Sequence, residues 1–147
     1  MKQMKIAVRY QSRGGNSKAA AEVIAEAAGV KAERIDIPIN EPIDILFVGG
    51  GVYAWTIDKN LKAFLHSIDP KSVKTLAAFT TSGLFGCTGT IKAIAKAKGI
   101  NTSGIHLPLR MGFHNYFGAI GYATLSDKQK GLLNGFVEKV IEFETTQ

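Results

Sequence analysis

Cysteine is all but missing from this 147-residue sequence, where Cys87 stands alone. No disulfide can close within the chain and no dithiol pair can act as a redox centre, which suits a reducing compartment without requiring one. Long hydrophobic runs are missing too, and none reaches the roughly 18 apolar residues that a membrane-crossing helix needs. The opening Met1–Arg9 has the lysines of a secretory leader. Arg9 breaks its apolar stretch, however, and no small-residue cleavage site follows, so a cytoplasmic location is expected. The three histidines, His66, His106 and His114, stand far apart and lack metal-ligand spacing, so no metal site is expected. Internal repeats, low-complexity tracts and linkers are absent, which points to one domain over residues 1–147. Hydrophobic residues at 46% and charged residues at 20% place the chain among ordinary globular proteins and exclude disorder.

What is abundant is positive charge. The formal net charge is +6, and the lysines that supply most of it are scattered along the sequence. Two readings are open: a merely solvated basic surface, or attraction to an acidic partner, an anionic membrane surface or nucleic acid. No nucleic-acid-binding motif accompanies the charge, so no nucleic acid is expected and a protein or membrane-bound partner ranks above DNA or RNA.

Short strands and amphipathic helices alternate from end to end. Lys5–Tyr10 is β-rich and runs into a polar, glycine-containing turn. Ala20, Val23, Ile24 and Ala27 recur at helical spacing, with Gly29 placed to stop the helix. Arg34–Ile37 reads as a short second strand, and Ile43–Val48 as a third, buried on both faces. Leu61, Phe64, Leu65 and Ile68 mark a second helix, with Thr56 or Asp58 as its cap. Leu76–Thr80 is a fourth strand. Thr88 can cap a third helix carrying Ile91, Ile94 and Ala95, which Gly99 ends, and Ile105–Leu109 is a fifth strand. Ser126 and Gln129 form a capping box for a last helix with Leu133, Phe136, Val137, Val140 and Ile141 on one stripe. Arg110–Thr124, rich in glycine and aromatics, fits no element. Repeated β-α-β units imply an α/β, doubly wound three-layer sandwich with a five-stranded parallel sheet in the order 2-1-3-4-5. Ligands of such sheets bind at the strand carboxyl ends near the β1/β3 switch point.

The turn after the first strand, Ser12-Arg13-Gly14-Gly15-Asn16-Ser17, leads straight into the first helix. Backbone N–H groups at a helix N-terminus, with the helix dipole behind them, hold a phosphate dianion well. Gly14 and Gly15 let the backbone wrap closely, and Ser12, Asn16 and Ser17 supply side-chain donors. Arg13 can add a charge-assisted contact or point to solvent. The bland alternative is a glycine turn in which Asn16 or Ser17 is a plain helix cap. The stretch resembles the flavodoxin phosphate loop, Ser/Thr-x-Thr-Gly-Asn/x-Thr. Ser12, Gly15, Asn16 and Ser17 match it, while Gly14 stands where threonine is usual and removes one hydroxyl. A Walker A loop is excluded because no Gly-Lys-Ser/Thr follows. Gly49–Ala54 spells G-x-G-x-x-A, but after the third strand and without opening a helix, so it is no dinucleotide fingerprint. A phospho-receiver domain is excluded because it needs acids where this chain has Gln11-Ser12 and Gly49-Gly50-Gly51.

Two further loops sit at the same expected edge. Past Gly49–Gly51 come Val52, Tyr53, Ala54 and Trp55, where glycines admit a planar ligand and the single tryptophan offers a stacking face. After the fourth strand, Ser82, Gly83, Leu84, Phe85, Gly86 and Cys87 can present backbone donors, with Phe85 as a second aromatic wall. Cys87 beside a helix start can have a lowered pKa, or can be a small half-buried residue of no chemical role. His114 can touch a ligand or simply occupy a surface loop. With no nucleophile–base pair in the sequence, the chemistry is left to a cofactor.

Together these features resemble a flavodoxin over nearly the whole chain, least so after Leu109. The resemblance implies a flavodoxin-like fold with FMN, its phosphate on the first loop and its ring between the loops after strands three and four. It further implies an electron shuttle working with a redox protein partner, acidic or membrane-associated given the charge of this chain. Two alternatives remain: an FMN-dependent oxidoreductase acting on a quinone or a protoporphyrinogen-type substrate, and a flavin-free module that binds a partner. Flavodoxins are typically acidic, whereas the third-strand loop here holds only Asp58, beside Lys59, and the fourth-strand loop holds no acid. Fewer carboxylates near the ring imply a less reducing flavin than in acidic members.

Overall fold

The computed structural model describes residues 4–12, 15–53, 56–82, 88–104, 106–110 and 125–146. Along the chain these form β1 (Ile6–Gln11), α1 (Asn16–Ala28), β2 (Ala32–Arg34), β3 (Ile43–Tyr53), β4 (Thr56–Ile57), α2 (Lys59–Ser67), β5 (Val73–Ser82), α3 (Thr88–Ala97), β6 (Asn101–Thr102), β7 (Leu107–Arg110) and α4 (Asp127–Thr145). β2, β1, β3 and β5 lie side by side and parallel. β6 and β7 pair with successive parts of β5, Thr75↔Asn101 and Phe79↔Leu107, so they are two pieces of one fifth strand. The break between them includes Gly104, whose φ of 75° turns the chain out of line. Apart from β4, an arm folded back on β3, the sheet has the order 2-1-3-4-5.

The central strands alternate between two cores, as period-two side chains must when both faces are covered. Ile45, Phe47, Ala77 and Phe79 face α1 and α4, where Phe47 meets Phe136 edge-on with ring centroids 5.6 Å apart. Leu46, Val48, Leu76 and Ala78 face α2 and α3. Each fully buried large side chain contributes about 1.5–3 kcal/mol over leaving it exposed, and this double layer is what holds the strand ends level.

The helices form where capping and packing agree. In α1 the buried positions are Ser17, Ala20, Ala21, Ile24 and Ala25. The stripe is thus rotated from the expected one: Ala27 is exposed, and Ala21 and Ala25 let the helix lie close to the sheet. Gly29, at φ 75°, ends α1 and donates to the carbonyls of Ala25 and Glu26. Asp58, not Thr56, caps α2, its Oδ1 accepting from the Asn60 N–H at 2.7 Å. Ser126 and Gln129 form the expected capping box on α4. Near the end of α4, buried Glu144 accepts from the Thr75 hydroxyl at 2.5 Å and pairs with Lys74 Nζ at 3.1 Å, which pins the helix to the start of β5.

Four strand boundaries differ from expectation, the fourth strand (β5) running over Val73–Ser82 rather than Leu76–Thr80. The second strand is Ala32–Arg34 rather than Arg34–Ile37. The Ile35 N–H still reaches the Tyr10 carbonyl at 3.0 Å, but Ile37 turns back to the Arg34 carbonyl, also at 3.0 Å. Buried Arg9 claims that turn, donating from Nε to the Ile37 carbonyl at 2.8 Å and from Nη2 to the Pro38 carbonyl at 3.3 Å. Nη2 also meets Glu33 at 3.3 Å; desolvation lowers the Arg9 pKa and Glu33 opposes that shift. The fifth strand is split rather than running unbroken over Ile105–Leu109, and Ile105 itself lies outside the described residues. The third strand does not stop at Val48 but continues through its glycines to Tyr53.

Candidate functional site

That continuation shapes the carboxyl edge of the sheet. β3 outruns its neighbours: its last partners are Gln11 on β1, opposite Gly50, and Thr81 on β5, opposite Gly51. Beyond them it pairs with β4 alone, Val52↔Ile57 and Tyr53↔Thr56, as an antiparallel hairpin standing past the sheet edge. The glycines expected to admit a flat ligand are engaged within the fold. A Cβ on Gly49 would lie 2.1 Å from the Phe79 carbonyl oxygen and 2.6 Å from its ring, so Gly49 is the space that Phe79 fills. A Cβ on Gly50 would lie 3.0 Å from Leu61 and 3.1 Å from the Gln11 carbonyl oxygen.

Register also sorts the polar residues at this edge. Tyr10, Gly49 and Phe79 form one row facing α1 and α4; the next row, Gln11, Gly50 and Thr80, faces α2. Thr81 again faces α1, and its Oγ1 lies 2.7 Å from Ser17 Oγ. Polar side chains therefore line both sides of the strand ends. Buried oxygens Gln11 Oε1, Asn16 Oδ1 and Thr80 Oγ1 have no hydrogen-bond partner among the described residues. Buried polar groups are normally satisfied, and orphaned ones mark where a ligand or water completes the site. The two amides can turn to offer either oxygen or nitrogen.

At the start of α1, Gly15 occupies the cap position in the left-handed conformation, φ 93°, with no side-chain cap bond. Asn16 and Ser17 are thus not plain caps: they lie inside the first turn. Ser12 Oγ accepts from the Gly15 N–H at 3.0 Å and closes the turn. No acidic residue sits in the first turn of α1 to offset the positive end of its dipole. Of the sequence-predicted residues, Ser12, Gly15, Asn16 and Ser17 come together here, while the backbones of Val52, Tyr53 and Ser82 end their strands at the same edge. Arg13, Gly14, Ala54, Trp55, Gly83, Leu84, Phe85, Gly86 and Cys87 lie outside the described residues, as do 111–124 with His114.

Three participants escaped sequence reasoning. Thr80 reads as a strand end and Gln11 and Thr81 as the first loop residues, and only the register brings Thr81 to Ser17 and sets Gln11 and Thr80 in one row on the α2 side. Thr88 was expected as a cap; it lies in the first turn of α3, and its hydroxyl is 2.5 Å from His106 Nδ1. The His106 pKa is lowered, first by desolvation and then by repulsion from Lys92, which favours the neutral ring. Among the described residues no group of His, Cys, Asp and Glu could hold a metal ion, and no helix is long and apolar enough to cross a membrane.

A parallel sheet in this order, with an uncapped helix N-terminus after its first strand, coincides with a family match: residues 7–138 fit the model described as Flavodoxin domain. The chain belongs to the flavodoxin family. No curated protein matches its sequence. Among solved structures, this flavodoxin-family chain is similar to rubredoxin oxygen:oxidoreductase from the anaerobe Desulfovibrio gigas, with a TM-score of 0.74 and 14% identity, over 97% of this chain and 36% of that one. It thus spans about a third of that protein's length. A short-chain flavodoxin associated with a non-canonical PDU bacterial microcompartment gives a TM-score of 0.68 at 15% identity, over 95% and 98% of the two chains. The two-electron reduced flavodoxin of Megasphaera elsdenii gives 0.61 at 16%, over 90% and 98%. At such identities the likeness speaks for the fold, which is flavodoxin-like.

Proposed function

We propose that this chain binds FMN at the carboxyl edge of its sheet and carries electrons to a separate redox protein. The observation that carries the reading is the start of α1. A left-handed Gly15 leaves the first-turn N–H groups without a side-chain cap, and the first turn holds no acid. That arrangement suits a phosphate dianion. In this reading Ser12 shapes the turn, Asn16 turns its amide N–H toward the phosphate, and Ser17, steadied by Thr81, offers its hydroxyl. Arg13 and Gly14 complete the loop. The stretches Val52–Trp55 and Ser82–Cys87 would flank the ring, which would meet the orphaned polar groups between them. When bound, FMN takes up and releases one or two electrons, while the protein's residues bind it, orient it and set its potential. The third-strand side has Asp58 alone, buried and committed to capping α2. The expected potential is therefore less negative than in acidic flavodoxins.

The absorption spectrum of the purified protein, recorded before and after adding FMN, tests this reading. Saturable uptake with a shifted flavin band is expected, weakened by Ser17→Ala and Asn16→Ala. No uptake would leave a flavin-free module. Turnover of NAD(P)H with a quinone, without an added reductase, would instead make the chain an enzyme with its own substrate.

A further inference from the structure

The lysines that look scattered along the sequence are gathered by the fold. Helices α2 and α3 pack side by side over the same core, and the Lys98 ammonium, just past α3, donates to the His66 carbonyl at 2.6 Å. Their outward positions carry Lys59, Lys62, Lys92, Lys96 and Lys98, all exposed or half-buried. Within the two helices and their caps the only acid is Asp58, the buried cap of α2; exposed Asp69 follows two residues past the end of α2. None of the five lysines forms an ion pair with a described carboxylate; elsewhere Lys5, Lys18 and Lys74 do, while Lys31, Lys71, Lys128, Lys130 and Lys139 do not. Helices α1 and α4, on the opposite face, mix Glu22, Glu26, Asp127, Glu138, Glu142 and Glu144 with four lysines.

This concentration works against the helices that bear it. Lys92 and Lys96 repel each other at i,i+4, and Lys59 sits beside the positive end of the α2 dipole, both unfavourable to an isolated helix. Both helices start at the carboxyl edge, α2 after the β3–β4 hairpin and α3 following β5. The Lys59 and Lys92 end of the positive face is therefore the end nearer the candidate site.

We propose that the α2–α3 face is the docking surface for a protein partner presenting a cluster of Asp and Glu side chains. Lysine ammoniums are strongly hydrated point charges, suited to fast steering and brief, salt-sensitive contact. A lipid surface fits less well. The exposed large apolar side chains of the described residues are Ile37 and Leu132, neither on this face, so nothing here inserts among acyl chains. Nucleic acid fits less well too, since α2 and α3 carry no arginine and their aromatic, Phe64, is buried. The surface follows from charge placement alone; only its role beside a redox centre rests on the FMN reading.

The test is a titration of the isotope-labelled full chain, without flavin, by a short glutamate-rich peptide, followed through backbone amide shifts. The shifts should map to α2 and α3 and fade with added salt. Replacing Lys59, Lys62, Lys92 and Lys96 together by glutamine, which matches lysine in helix propensity, should weaken binding by about tenfold. The same replacement at Lys18, Lys128, Lys130 and Lys139, an equal change of net charge, should alter it by less than about twofold. Equal losses in the two variants, or shifts spread over α1 and α4, would overturn the proposal. So would tighter binding to phosphatidylserine vesicles or to a single-stranded oligonucleotide than to the peptide. Because the titration needs no flavin, failed FMN uptake would sink the proposed function while leaving this surface standing.

Discussion

Ser17 Oγ and Thr81 Oγ1 lie 2.7 Å apart, a buried hydroxyl pair that fastens the first turn of α1 to the end of β5. The contact joins two pieces of chain 64 residues apart and holds the candidate phosphate turn against the sheet. Thr81→Val keeps the side-chain shape but strands the Ser17 hydroxyl, at a cost of about 1–2 kcal/mol in urea unfolding. Ser17→Ala should cost a similar amount, and the double variant less than the sum, since it leaves no orphan behind. FMN titration of Thr81→Val should show weaker uptake although the residue is no direct ligand in the reading given above.

Gly49 offers a sharper stability test. Its added Cβ would collide with the Phe79 carbonyl oxygen at 2.1 Å, a backbone atom in the middle of the sheet. Gly49→Ala should therefore destabilise the protein by about 3 kcal/mol. Gly50→Ala should cost about 1 kcal/mol, because its nearest contacts, the Leu61 methyl at 3.0 Å and the Gln11 carbonyl oxygen at 3.1 Å, ask for shifts of only a few tenths of an ångström. Denaturation midpoints of the two variants give the ordering, and equal effects would refute it.

Arg9 holds the turn after β2 through a planar fork that lysine cannot reproduce. Arg9→Met and Arg9→Lys should both lose about 2–3 kcal/mol, through the Ile37 and Pro38 carbonyls left without their donor. Amide hydrogen exchange over residues 35–40 should quicken in both variants. A fully stable Arg9→Lys protein would reduce the role of Arg9 to its charge.

The pH dependence of stability should reveal His106. Its folded pKa lies below the ordinary value of 6.5, so between the two values the unfolded chain binds more protons than the folded one. Stability falls as pH drops through 6.5 toward the folded pKa, and the His106 contribution to the slope fades as pH rises above 6.5. Protonation of Nδ1 also removes its ability to accept from the Thr88 hydroxyl. In His106→Gln that part of the slope should vanish, as read from melting temperatures across the acid range.

The order of strands and helices was legible because apolar spacing and cap residues carry it locally: Asp58, Gly29 and the Ser126–Gln129 box sit where such residues should. The glycines after Val48 misled, since glycine signals a turn, whereas here the demand comes from Phe79 on a strand some 30 residues away. Ile35 and Ile37 look like strand residues, but the carbonyl of Ile37 is claimed by Arg9, which no local pattern reports. At the candidate site, Ser12, Gly15, Asn16 and Ser17 announced themselves as a contiguous stretch. Gln11, Thr80 and Thr81 did not, because their places at the edge depend on strand register. The positive face was invisible for the same reason, its lysines falling on two helices separated by a strand.

The rims of the sheet bear on how this molecule behaves in company. On one side the outermost strand, β2, is only three residues long; on the other the rim is broken into β6, of two residues, and β7, of four. A second chain seeking to add itself strand-on-strand would find no long uninterrupted ladder of free N–H and C=O groups on either described side. Crowded solutions of this protein should thus resist the edge-to-edge stacking that seeds fibrils, even though its central strands are as apolar as any that form them.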